Sequence, residues 1–275
     1  MTHRRTLITV LLIAAAGFGG SAAHAQAREE AKIIVATQVM EELRAQKDQY
    51  LPDLLLERAY GIAIVPDVVK VGFGIAGRRG TGVLLVRDSS GRFSQPVFIA
   101  LTGGSVGWQI GAQKTDVVLV FTTRKGIEGI TDGKLTLGAD ASVAAGPVGR
   151  SASAATDQSF SAEIYSYSRS RGLFAGVALD GTALTVDSRA NSRFYGRRDV
   201  SASEVINGNV TRNSESVRRL LAAIATSTRT APAAHVTGSA SASAGAPPAP
   251  SEPVTPARTF PLDDAPPAAE PRPQP

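Results

Sequence analysis

Between Gly61 and Gly181 the chain runs as apolar, β-prone stretches broken by glycine at short intervals, and this pattern limits what it can fold into. Four stretches carry it: GIAIVPDVVKVGFGIAGRRGTGVLLV (Gly61–Val86), TGGSVGWQIGAQKTDVVLVF (Thr102–Phe121), LGADASVAAGPVG (Leu137–Gly149) and YSYSRSRGLFAGVALDG (Tyr165–Gly181). Glycines inside strands mark bends, bulges or close backbone approach rather than flat sheet. The expectation is an α+β single domain: a strongly curved antiparallel β-sheet or small barrel, flanked by N- and C-terminal helices.

The individual elements follow from periodicity. Ile33, Ala36, Met40 and Leu43 recur at helical spacing in Ala27–Lys47, with Val35 and Val39 widening the stripe. Such a stripe packs on a domain or inserts in a membrane. Pro52 and Asp53 suit the start of a second helix that Gly61 ends. Ile62–Val65 reads as a strand stopped by Pro66. Val68–Ile75 and Thr81–Val86 follow, with Gly77, Arg78, Arg79 and Gly80 as the turn between them. Pro96–Leu101, Ser105–Gln113, Val117–Thr122, Leu135–Ala141, Gly172–Leu179 and Ala183–Val186 continue the series. Ser188–Tyr195 reads as a helix capped by Asp187 or Ser188. Ser201-Ala202-Ser203-Glu204 has capping-box spacing, and Ser214–Ala225 is a final amphipathic helix.

The two ends differ from this core. His3, Arg4 and Arg5 precede an apolar run, Leu7–Phe18, and Ala23-His24-Ala25 is a small-x-small site. That is the pattern of a cleaved signal peptide over residues 1–25, and a periplasmic or secreted location is the expectation. No cysteine offers a lipid anchor. From about Ser227 the chain is rich in Ala, Pro, Ser and Thr, and 12 of its 16 prolines fall there. Such a composition buries too little apolar surface to offset its ordering entropy, so residues 227–275 are expected to be a disordered tail or spacer. The domain lies between, over residues 26–226.

Composition narrows the chemistry. There is no cysteine, and the three histidines, His3, His24 and His235, lie outside the core. The core therefore lacks the residues of common zinc sites and of Ser-His-Asp or Cys-His catalysis. No S-x-x-K spacing occurs, and no pair among the core carboxylates stands out. A non-enzymatic protein without cofactor or metal is the expectation. The net charge of +5 is too mild to imply nucleic acid. Gly72-Phe73-Gly74-Ile75-Ala76-Gly77 matches G-x-G-x-x-G, but a β-type run follows where a dinucleotide fingerprint opens a helix.

The basic residues cluster instead: Arg78 with Arg79, Arg124 with Lys125, Arg169 with Arg171. Each cluster suits solvated turns and strand ends. Clusters meeting on one face would attract anionic head groups, at about 1 kcal/mol per charge near an anionic surface. Trp108, the single tryptophan, sits among glycines, as a core ring or a rim residue. Asp140 and Ser142 suit satisfied polar groups at a sheet bend, or a pocket lining.

The order and combination of the four glycine-rich stretches resemble the SYLF domain family, over roughly Ala27–Leu221. Members are described as binding phosphoinositides and other acidic lipids, and some eukaryotic members bind filamentous actin and carry SH3 or FYVE domains. The resemblance implies lipid contacts through basic residues and the N-terminal helix. The candidates are Arg78, Arg79, Arg124, Lys125, Arg169 and Arg171, with Trp108 beside them. For an exported bacterial protein, acidic phospholipids are the partner that carries over and actin carries over poorly. The alternative is an envelope scaffold that docks a protein partner through a sheet edge or the tail. A basic face beside an exposed apolar strip favours lipid; a neutral face with an open edge favours the scaffold.

Overall fold

The computed structural model describes residues 26–45, 53–73, 75–106, 111–148, 161–170 and 173–228. The signal-like segment, Trp108, Arg171 and the chain beyond residue 228 lie outside the described residues. Helices α1 (residues 26–45) and α2 (Asp53–Glu57) come first. Strands β1 (Gly61–Phe73) and β2 (Ile75–Val86) form a long hairpin, β3 (Val97–Val106) pairs with β2 and β4 (Gly111–Phe121) with β1, and α3 (Arg124–Thr131) follows. Then come β5 (Lys134–Thr136), β6 (Val143–Ala145), β7 (Ile164–Ser170), β8 (Leu173–Gly176) and β9 (Thr182–Val186). Helices α4 (Ser188–Tyr195), α5 (Ala202–Ile206) and α6 (Glu215–Thr228) close the domain.

The strands make one curled sheet, ordered β5-β9-β3-β2-β1-β4-β7-β6, with β8 also on β7. All pairs are antiparallel except β6 with β7, so the sheet is mixed. Its two faces hold separate cores. One face buries Ile62, Ile64, Val83, Leu85, Val118 and Val120 against α1, α2, α4 and α6. The other, concave, buries Ala63, Val65, Leu84, Leu119 and Leu184 against α3 and α5.

Strand β1 is a single strand where sequence predicts two. Pro66 does not stop it. From Ile64 to Val69 takes five steps on β1, while their partners Val83 and Arg79 are four apart on β2. The same one-residue excess appears against β4. Proline is tolerated because it sits at this bulge, where no ladder hydrogen bond is asked of it. Asp67 takes a φ of 50°, and its N–H donates to Asp116 Oδ1 at 2.9 Å. The extra residue changes the phase of alternation. Before it, even-numbered residues face the helices; beyond it, Val68 and Lys70 face the concave side, beside Val65.

Two glycines sit at close approaches. A Cβ on Gly146 would lie 2.0 Å from the Tyr167 ring, so the buried tyrosine lies flat on that backbone. Gly61 does not end α2, which stops at Glu57; it opens β1, where a Cβ would lie 2.7 Å from Ile127 Cδ1.

Helix α1 uses its stripe for packing. Ile33, Ala36, Val39, Met40 and Leu43 are all buried. At about 1.5–3 kcal/mol per large side chain, this burial amounts to roughly 10 kcal/mol gross, which detachment would forfeit. Ion pairs fix its ends: buried Glu29 with Arg193 at 2.7 Å, Glu30 with Arg212 at 3.3 Å, and Glu42 with Arg169. At α4 the Asp187 carboxylate accepts from Ala190 N, and at α5 Ser201 and Glu204 close the capping box, both as expected. Helix α6 continues to Thr228, and Ser227, taken from sequence as the start of the tail, is buried in it.

Candidate functional site

The long strands β1–β4 carry a basic end. Arg78 and Arg79 do not form a turn; they lie inside β2, and the two strands meet between Phe73 and Ile75. That register sets Lys70 opposite Arg78 and Val69 opposite Arg79, with Lys114 on β4 opposite Val69. Neighbours on a strand point to opposite faces, so Arg78 and Arg79 separate. Lys70 and Arg78 share the concave face with Gln113 and Thr115. Arg79 lies on the helix-covered face, in a groove it lines with Arg28 and Lys32 of α1. Four cations thus occupy one end of the sheet. Asp67, 4.0 Å from Lys114, is the acid beside them. Val71, on the same hairpin, is 55% exposed.

The other sequence candidates do not join this end. Arg124 and Lys125 open helix α3, at the far end of β4, where sequence predicts a turn. Arg124 pairs with Glu128 at 2.9 Å and Lys125 with Glu163 at 3.5 Å. Arg169 is largely buried between two acids, donating to Asp116 Oδ2 at 2.6 Å and to Glu42. Trp108 and Arg171 lie outside the described residues. Asp140 and Ser142 serve the bend: Asp140 Oδ2 accepts from Thr136 N at 2.6 Å, and Ser142 exchanges hydrogen bonds with Glu163.

Lys70 and Lys114 escape a composition reading because each stands alone in sequence. The signal for Lys70 is its pairing. A hairpin closing near Gly74 rather than Gly77–Gly80 sets it opposite Arg78, but the face it takes depends on the bulge.

The Glu163 contacts have a pH consequence. The Ser142 backbone N–H, then the Lys125 charge, hold the Glu163 carboxyl below its usual range. Its folded pKa is therefore below the unfolded one, about 4.3. The contribution is full above that value and lost as pH falls through the depressed one. Glu163→Gln is expected to be modestly less stable than the parent at pH 7. In urea melts the two should converge as pH falls through the depressed pKa. A gap that persists there assigns the effect to lost packing.

Sequence comparison adds relatives to this geometry. Residues 102–227 match a family model described as "Ysc84: Las17-binding protein actin regulator". The chain is 41% identical to "Protein YSC84" of Saccharomyces cerevisiae over 152 residues, covering 54% of this chain and 32% of that protein. It is 34% identical to "SH3 domain-containing YSC84-like protein 1" of Xenopus laevis over 191 residues, covering 69% of this chain and 56% of the relative. To "LAS seventeen-binding protein 3" of Saccharomyces cerevisiae it is 39% identical over 166 residues, covering 59% and 36%. The matches thus span from about a third to just over half of these relatives.

Proposed function

We propose that this chain, whose residues 102–227 match the Ysc84 (SYLF) family, is a non-enzymatic module of that lipid- and actin-binding family, acting in the periplasm or after secretion, that associates with acidic phospholipid surfaces through the hairpin end of its sheet. The observation that carries this reading is the grouping of Lys70, Arg78, Arg79 and Lys114 around the exposed Val71. Cations beside an apolar tip suit a charged, half-apolar interface. The scaffold reading gains less support. Among the described residues the outer strands β5, β6 and β8 are three or four residues long, which leaves little edge for an added strand.

Arg124, Lys125 and Arg169 are assigned elsewhere, since each holds a carboxylate of its own domain. The apolar face of α1 stays in the core in this reading, so attraction is mainly electrostatic. Flotation of the domain with vesicles tests it. Anionic vesicles should recover the protein at low salt, and recovery should fall steeply as the Debye length shrinks from about 30 Å at 0.01 M to about 8 Å at 0.15 M. Reversing Arg79 and Lys114 to Glu should weaken recovery by about thirtyfold or more, since the two lost cations alone account for about 2 kcal/mol at about 1 kcal/mol per charge. Equal, negligible recovery with neutral and anionic vesicles at low salt would leave the scaffold reading in its place.

A further inference from the structure

The concave side of the basic end is more than a charged surface. A pocket of about 160 Å³ opens there, with Lys70, Arg78, Gln113, Thr115 and Ser168 around it and Val68 and Leu179 in its wall. Arg78 is half-buried, and no carboxylate among the described residues pairs with it. Desolvation alone pushes its guanidinium below the usual range. Asp67, on the neighbouring strand, pairs with Lys114 instead, and Asp116 pairs with Arg169.

A cross-strand row continues the site. Arg78 faces Gly103 on β3, and Gly103 faces Thr182 on β9. A Cβ on Gly103 would lie 2.9 Å from Thr182 Oγ1 and 3.1 Å from Arg78 Cγ. Glycine therefore keeps the arginine stem and the hydroxyl side by side. Thr182 is fully buried, and its Oγ1 has no hydrogen-bond partner among the described residues.

We propose that this pocket is a discrete oxyanion site for a terminal phosphate, the group of a phosphomonoester, held by Arg78 and Lys70. The proposal deepens the membrane reading, because the pocket belongs to the same end of the sheet. Two cations without a local acid call for a dianion. A guanidinium binds two phosphate oxygens in parallel, and an ammonium adds a point charge. Gln113, Thr115 and Ser168 supply neutral donors from two further strands, which suits three terminal oxygens better than the two of a planar carboxylate. The apolar wall strengthens each bond by excluding water. A phosphodiester head group offers one charge and two free oxygens, and satisfies the site less. The terminal phosphate belongs to a lipid head group or to a soluble metabolite.

Calorimetric titration with inorganic phosphate and with glycerol 3-phosphate tests the site at fixed ionic strength. Both should bind, and Arg78→Gln should weaken them about tenfold or more, as for loss of a charge-assisted bond. Arg78→Lys should retain part of the affinity, which covers the case where Arg78→Gln fails to fold. Arg124→Gln, at the far end of β4 where Arg124 pairs with Glu128, should leave it unchanged. No phosphate binding, or equal losses in Arg78→Gln and Arg124→Gln, overturns the proposal. Vesicles of phosphatidic acid and of phosphatidylglycerol, matched in charge, identify the source. An Arg78-dependent preference for phosphatidic acid assigns the site to a lipid head group. Phosphate binding without that preference assigns it to a soluble phosphomonoester. Phosphate binding with no vesicle binding keeps the site and removes the membrane reading; vesicle binding without phosphate binding does the reverse.

Discussion

Replacing Gly82 with alanine is expected to destabilise the domain by about 3 kcal/mol or more, enough to unfold much of the population of a marginally stable fold. The reason lies across the strand pair. A Cβ on Gly82 would lie 2.0 Å from the Ile64 carbonyl oxygen and 2.6 Å from the Val65 Cα. Both contacts are with backbone, so no rotamer change relieves them. They arise where the register shifts, since Ile64, the last residue before the bulge, pairs with Val83 beside Gly82. Gly77→Ala is the control: on the same strand, a Cβ there meets nothing within 4 Å. Its effect should stay within about 0.5 kcal/mol, as for other surface substitutions. Urea melts of both variants decide the matter; equal midpoints would mean that the bulge relaxes freely.

Arg169→Ala is expected to cost about 3 kcal/mol, the scale for removing one partner of a buried ion pair. Arg169 and Asp116 expose 18% and 12% of their side chains, so solvent screens the pair little. Among the described residues, the variant leaves the Asp116 carboxylate with the Asp67 N–H alone and frees Glu42 of α1 from this pair. Asp116→Asn in the same chain should recover part of the loss by removing the orphaned charge. The pair of variants separates two roles for Arg169. A structural tie lowers stability and leaves vesicle affinity per folded molecule unchanged, whereas a lipid contact does the opposite.

What could be read in the sequence follows what is local. Asp187 three residues before Ala190, and Ser201 three before Glu204, are contacts within one turn, and both caps form as their spacing predicts. The stripe of α1 is read correctly because helical periodicity survives whatever it packs against. Helix α3 is missed because Gly126 and Gly129 lower helix propensity. They are glycines because a Cβ would lie 2.9 Å from Phe121 Cδ1 and 2.9 Å from Leu135 Cδ1, contacts that exist only after folding. The long strands are cut in the wrong places for a similar reason. Glycine signals a turn in sequence, but Gly77 and Gly80 lie within β2 and Gly103 and Gly104 within β3. Arg78 and Arg79 are identified as basic neighbours, and their separation onto two faces depends on a register that only the paired strands fix.

The ties of α1 also order events in time. Its partners come from the last part of the domain: Arg193 is 164 residues beyond Glu29, and the Thr226 carbonyl that Arg44 binds is 182 residues further on. At a synthesis rate of about 5–20 residues per second, that separation is on the order of 10–40 s. Throughout this interval Ile33, Val39, Met40 and Leu43 have been made while α4 and α6, which will cover them, have not. Helix α1, made before every other described helix, is therefore among the last to find its place. Until Thr228 is added, the nascent chain carries an unsheltered apolar stripe, and whatever shields that stripe sets how safely the domain is made.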